Sequence, residues 1–182
     1  MNSGRVAIRY AKGLLRFGNE KRISSTLYAD ALALVPIIRN SDTLMSLLGD
    51  PSLSYNQKND ILTKTFTGKV HPCFLEFFSM IILKGRTEYT LNSLLLFCDL
   101  YRKENNILNV TIESADILTS QELNEIETFI NNSYHKNVEL NLVHKPQLIA
   151  GYVLIVDGKM LDYSVSGQLI QYKKSLGLTF SK

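Results

Sequence analysis

Two cysteines in 182 residues, Cys73 and Cys98, are too few and too far apart for a disulfide framework or a zinc site. Each lies inside an apolar run, where a reduced thiol behaves as a small core residue. Four prolines and ten glycines exclude a fibrous or low-complexity chain. Of the three histidines, His71 adjoins Pro72 at a helix start, His135 sits in a polar turn, and His144 ends a strand. None has a partner at catalytic or metal-binding spacing. The chain also lacks any uninterrupted apolar run of the roughly 18 to 20 residues that a membrane span needs. The nearest, Phe77 to Leu83, is seven residues long and contains Ser79. A secretory signal is not expected either, because Arg5, Arg9, Lys12 and Arg16 interrupt the N-terminal segment. This Arg-rich, acid-poor start imitates an organellar transit peptide, but the helix it forms is integral to the helical part of the chain.

Apolar residues make up 45% of the chain and charged residues 20%, the balance of a folded, soluble protein. Its length allows one medium domain or two small ones. The net charge of +3 is too mild for a strongly cationic nucleic-acid binder, but it is unevenly spread. All seven arginines lie before residue 106, so residues 1–105 carry +5 and residues 106–182 carry −2. Two parts with different surfaces are expected.

Residues 1–105 have a helical period. The first helix is expected from Ser3 to Phe17, with Arg5, Arg9, Lys12 and Arg16 on one narrow arc and Val6, Tyr10, Leu14 and Phe17 opposite. A second covers Ser24 to Arg39, where Pro36, lacking an N–H, kinks it or ends it early. Asp42 caps a short helix through Leu48, stopped by Gly49 and Pro51. Ser54 begins a fourth with Ile61, Leu62 and Phe66 as its stripe. Pro72 suits the first turn of a fifth, which is apolar nearly all round. Its Phe74, Leu75, Phe77, Phe78, Ile81 and Ile82 cannot all face one side, which leaves some for a groove that takes an apolar helix. A sixth helix comes after Gly85, from Thr87 to Glu104.

After Asn106 the period becomes that of an α/β unit. Ile107 to Ile112 suits a strand. Thr119 and Glu122 form a capping box for a helix to about Asn132. Val138 to Val143 alternates as a half-buried strand. Tyr152–Val156 and Lys159–Asp162 flank Asp157-Gly158, a type I′ hairpin signal. Ser164 caps a last helix through Leu176, ended by Gly177. The predicted fold is mostly α: an N-terminal helical part to residue 105, then a small β-α-β-β-β-α domain over 106–182.

No catalytic, cofactor-binding or metal constellation is present in the sequence. There is no Gly-rich phosphate loop, and Asp157 and Asp162 are explained by the turn and by helix initiation. The basic arc of the first helix reads as a solvated face. A nucleic-acid or membrane-surface role would require salt-sensitive binding to DNA or anionic vesicles. An enzyme has no support.

The segments RYAKGLL (Arg9–Leu15), DPSLSYNQK (Asp50–Lys58), KGR (Lys84–Arg86), VTIESADILTSQEL (Val110–Leu123) and KPQLIAGYVLIVDGKMLDYSVSGQL (Lys145–Leu169) occur in one order along nearly the whole chain. In that order and spacing the sequence resembles the delta subunit family of F-type ATP synthases, which includes the mitochondrial oligomycin-sensitivity-conferral protein. Gly13 stands where the family usually has Ala.

The resemblance implies a six-helix N-terminal bundle and a smaller C-terminal domain. It also implies a non-catalytic stator subunit of a proton-translocating machine, holding the catalytic head against rotor torque during ATP synthesis. The bundle would take N-terminal helices of alpha subunits, one of them between the first and fifth helices. Tyr10, Leu14, Phe17, Phe74, Phe77, Phe78 and Ile81 would line or support that groove. Leu148, Val165 and Leu169 would help dock the end of the b subunit. The expected location is peripheral, on the cytoplasmic face of a bacterial plasma membrane and held there through the complex, without cofactors or nucleic acid.

Overall fold

The computed structural model describes residues 3–116, 118–134 and 136–175. Its contacts divide the chain into two units, Met1–Tyr101 and Arg102–Lys182. The division falls a few residues before the junction read from the change of period.

The first unit is built from α1 (Ser3–Lys21), α2 (Ser24–Arg39), α3 (Asp42–Gly49), α4 (Tyr55–Phe66), α5 (Pro72–Leu83) and α6 (Thr90–Glu104), whose last residues pass into the second unit. Helix α1 runs about a turn past its predicted end at Phe17. Gly18 makes this extension useful, because a Cβ there would sit 3.1 Å from both Leu27 Cδ1 and Ser24 Cα of α2. The helix then closes in a Schellman turn. Arg22 adopts a left-handed φ of 58°, and Ile23 N–H donates to Gly18 O at 2.8 Å.

Helix α2 does not end early. It continues through Pro36, whose ring stands on the exposed side, to Arg39. Asp42 is the first residue of α3 rather than its cap; Ser41 holds the cap position, and Gly49 lies inside the helix. Ser54 does cap α4, in a capping box with Gln57. At α5, His71 is the N-cap: its Nδ1 accepts from Cys73 N–H at 3.3 Å, and its own N–H donates to Asp30 Oδ2 at 2.6 Å. The predicted sixth helix begins with a 3₁₀ turn at Thr87–Tyr89 before α6.

The core of this unit differs from the simple amphipathic reading. On α1 the deeply buried residues are Ala7, Ala11, Leu14 and Leu15, while Phe17 is exposed and Tyr10 half-buried. On α5, Phe74, Phe77, Phe78, Ile81 and Ile82 are buried, while Leu75, the sixth residue of that apolar set, is only half-buried. Packing from both flanks widens the buried arc to about half the helix. Tyr28 and Tyr101 stack at 4.3 Å between ring centroids, joining α2 to α6.

The second unit contains β1 (Ile107–Ser114), α7 (Ser120–Tyr134), β2 (Asn137–His144), β3 (Tyr152–Val156), β4 (Lys159–Asp162) and α8 (Val165–Ser175). The strands form one sheet in the order β2-β1-β3-β4, with β1 parallel to β2 and antiparallel to β3. Strand β1 buries alternate residues, and Leu108, Val110 and Ile112 pack with Leu154, Val156 and Ile130 of α7. The capping box at Thr119 and Glu122 forms, with Thr119 N–H donating to Glu122 Oε2 at 2.8 Å. Asp157 and Gly158 both have positive φ, 46° and 81°, and close the β3–β4 hairpin in two residues. Ser164 caps α8 by accepting from Gly167 N–H at 3.0 Å. The predicted helix end at Leu176 and Gly177, and the turn at His135, lie outside the described residues.

Candidate functional site

Helices α1 and α5 leave a groove between them of about 520 Å³. One wall is the α1 stripe Tyr10, Gly13, Leu14 and Phe17, at spacings of three and four. The other is the α5 stripe Cys73, Glu76, Phe77 and Met80, at the same spacings, continued by Lys84. Gly13 has no heavy atom within 4 Å of where a Cβ would stand, so it opens the wall rather than packing it. Phe17 and Met80, 36% and 43% exposed, present apolar surface to solvent here. Such a trough matches the recognition of an amphipathic helix by i, i+3, i+4, i+7 anchors.

One end of the groove is basic, lined by Arg9, Lys84 and Arg86. Helix α5 stops in a Schellman turn at Gly85, whose φ is 61°, with Gly85 N–H bonded to Ile82 O at 2.9 Å and Arg86 N–H to Ile81 O at 3.0 Å. This turn gives the KGR triplet its physical meaning. Glycine supplies the left-handed residue, and Arg86 is sent back toward α1, where its Nη1 donates to Tyr10 Oη at 3.4 Å. Burial, and second the charge of Glu76, push the Cys73 thiol up to about 11, so this groove cysteine stays protonated at neutral pH.

Of the residues assigned to this surface, Tyr10, Leu14, Phe17 and Phe77 line the groove. Phe74, Phe78 and Ile81 do not; they are buried behind it. Phe74 and Phe78 support it through ring contacts, Phe77 lying 5.8 Å from Phe78 and 6.4 Å from Phe74 between centroids. The lining residues not anticipated were Arg9, Gly13, Cys73, Glu76, Met80, Lys84 and Arg86. The signal for the α5 side was the 73, 76, 77, 80 spacing, hidden by a helix that is apolar nearly all round.

In the second unit, α8 packs beside a 3₁₀ turn at Pro146–Leu148. Val165 and Leu169 are exposed and Leu148 half-buried. Ile149 and Ile170 add exposed apolar surface that sequence reasoning missed. The start of α8 is held tightly. Ser164 N–H and Oγ both donate to Asp162 Oδ1, at 2.9 and 2.6 Å, which holds the Asp162 carboxyl below the usual range. Asp157 and Asp162 thus serve turn and helix start. A further cleft of about 340 Å³ lies against α7 and β3, lined by Ile126, Phe129, Tyr152 and Tyr163 among others. Among the described residues no His, Cys, Asp and Glu group is arranged to hold a metal, and no single helix is long and apolar enough to cross a membrane.

The sequence matches the family described as ATP synthase delta (OSCP) subunit over residues 6–176. It is 30% identical over 181 residues to the ATP synthase subunit delta of Prochlorococcus marinus strain MIT 9211, covering 97% of this chain and 96% of that protein. It is also 30% identical over 172 residues to the ATP synthase subunit delta of Protochlamydia amoebophila strain UWE25, covering 94% of each. A chain in the cryo-electron microscopy structure of the Toxoplasma gondii mitochondrial ATP synthase hexamer shares the fold, with a TM-score of 0.70 at 22% identity over 96% of this chain and 98% of that one. With a family match over nearly its whole length, the chain belongs to the ATP synthase delta (OSCP) subunit family, whose members are non-catalytic structural subunits of that complex.

Proposed function

We propose that this chain links the alpha subunits of the catalytic head to the b-subunit peripheral stalk, so that the head resists rotor torque while protons drive ATP synthesis. The first unit acts as a helical bundle that seats an alpha-subunit N-terminal helix between α1 and α5. The second docks the end of b around Leu148, Val165 and Leu169. The protein works at the cytoplasmic face of a bacterial plasma membrane, attached only through the complex. Resisting torque needs a stiff body and well-buried apolar anchors rather than reacting groups.

The observation that carries this reading is the open apolar groove of about 520 Å³, formed by the two helices between which the family resemblance puts a partner helix. The test is titration of the full-length chain with a peptide from the alpha-subunit N-terminus. Phe17→Asp and Met80→Asp alter exposed groove residues and leave the core untouched, so they should weaken binding at least about tenfold, 1.4 kcal/mol, without lowering the melting temperature. Unchanged affinity in both variants overturns the groove assignment. Val165→Asp with Leu169→Asp should do the same to b binding, and retained b binding overturns the second docking surface.

A further inference from the structure

The groove between α1 and α5 is basic at one end and carries the acidic Glu76 toward the other, one turn in from Cys73. Arg86 Nη1 reaches Tyr10 Oη at 3.4 Å, which puts the C-terminal end of α5, with Lys84 and Arg86, beside the turn of α1 that carries Arg9. Glu76, the acidic residue of the lining, precedes Lys84 by eight residues, about 12 Å along the helix at 1.5 Å per residue. Among the described residues no ion pair ties up Arg9, Lys84, Arg86 or Glu76. Between the two ends the walls are apolar.

A helix laid in this trough buries its apolar stripe against Leu14, Phe17, Phe77 and Met80. The side chains flanking its stripe then face the charged ends. An exposed ion pair contributes little to affinity. Three cations beside an apolar, low-dielectric wall nevertheless attract an acid and repel a base, and like-charge repulsion is an effective source of selectivity. Resting on the reading of this groove as the seat of a partner helix, we propose that Arg9, Lys84 and Arg86 form an acid-reading end. It selects an amphipathic helix carrying Asp or Glu beside one end of its apolar stripe and sets the direction in which that helix lies. Glu76 enforces the direction by repelling the acids from the other end.

Three synthetic 20-residue helices with one apolar stripe test this on the full-length chain. One has a Glu pair beside one end of the stripe, one a Lys pair there, and one a Gln pair. A single Trp in each reports binding, since the chain contains none. The Glu peptide should bind at least about tenfold more tightly than the Lys peptide at low salt, and the ratio should shrink at about 1 M salt, where the Debye length is roughly 3 Å. The doubly substituted Arg9→Glu, Lys84→Glu chain, both sites being exposed, should reverse the preference while melting at the same temperature. A nitroxide on the acidic end of the Glu peptide should broaden the amide signal of Arg86 more than that of Phe17. Equal binding of all three peptides, or broadening strongest at Phe17, overturns the proposal and leaves the groove reading standing. Failure of all three to bind, together with the alpha-subunit peptide, overturns both.

Discussion

The Tyr10 and Phe77 rings meet at 87° with centroids 6.2 Å apart, and through that edge contact the α1 wall of the groove is joined to the core. Behind Phe77 the aromatic packing continues through Phe78 to Phe66 of α4, at 5.8 Å for each step. The floor of the groove is therefore continuous with the aromatic core of the first unit.

Truncating that floor should be costly. Phe77→Ala removes a buried ring with three aromatic neighbours and should lower unfolding stability by about 3–5 kcal/mol in urea titration. Tyr10→Phe keeps the ring and removes only the hydroxyl that accepts from Arg86, so it should cost no more than about 1 kcal/mol.

Gly13 offers the opposite case. With open space where a Cβ would stand, Gly13→Ala should raise stability by about 0.5–1 kcal/mol through helix propensity and leave the groove open. Gly13→Trp should fill the groove and abolish peptide binding. A melting curve and a binding titration separate the two effects.

At the start of α8, a Cβ on Gly167 would overlap the Asp162 carboxylate. Gly167→Ala should therefore displace Asp162 from Ser164 and loosen α8, seen as faster amide exchange from residue 165 onward. Gly151 is also restricted, since its φ is 82° and a Cβ would lie 2.5 Å from Tyr163 O, so Gly151→Ala should destabilise the same corner.

Two titrations have defined signs. The side-chain and backbone hydrogen bonds from Ser164 hold Asp162 below its ordinary 3.8, so its stabilising contribution is present above that value and lost as the pH falls through the folded-state value. The stability difference between the native chain and Asp162→Asn should shrink on acidification below 3.8. For Cys73 the folded value is raised from 9.0 to about 11. Its contribution should hold below pH 9 and disappear as pH rises toward 11, and Cys73→Ala should flatten that decline in urea midpoints measured across the range.

Much of the local architecture was legible because its chemistry lies within a few residues. The Ser54 helix start, the Thr119–Glu122 box, the Asp157-Gly158 turn, the Ser164 cap and the change of period after Asn106 all appear in the structure. Helix ends were less legible. Helix α1 runs on past Phe17 with Gly18 close against Leu27 and Ser24 of α2 and ends in the left-handed turn at Arg22, and α2 continues through Pro36 with the ring on the exposed side. Neither fact is visible in the residues that spell the helix.

The sequence by itself determined the family, the helical and α/β periods, and the α1 stripe of Tyr10, Leu14 and Phe17. Capping, turn geometry and amphipathic spacing are local, and the motifs occur in order along the chain. Only the tertiary structure decided that Phe74, Phe78 and Ile81 face inward while Glu76 and Met80 face the groove, because an all-apolar helix carries no periodic contrast from which to choose a side. The groove itself is a space between helices about sixty residues apart in the chain, and its charged end exists only where Gly85 turns Arg86 back onto Tyr10. Such a space is a property of packing, and packing is settled when distant segments meet.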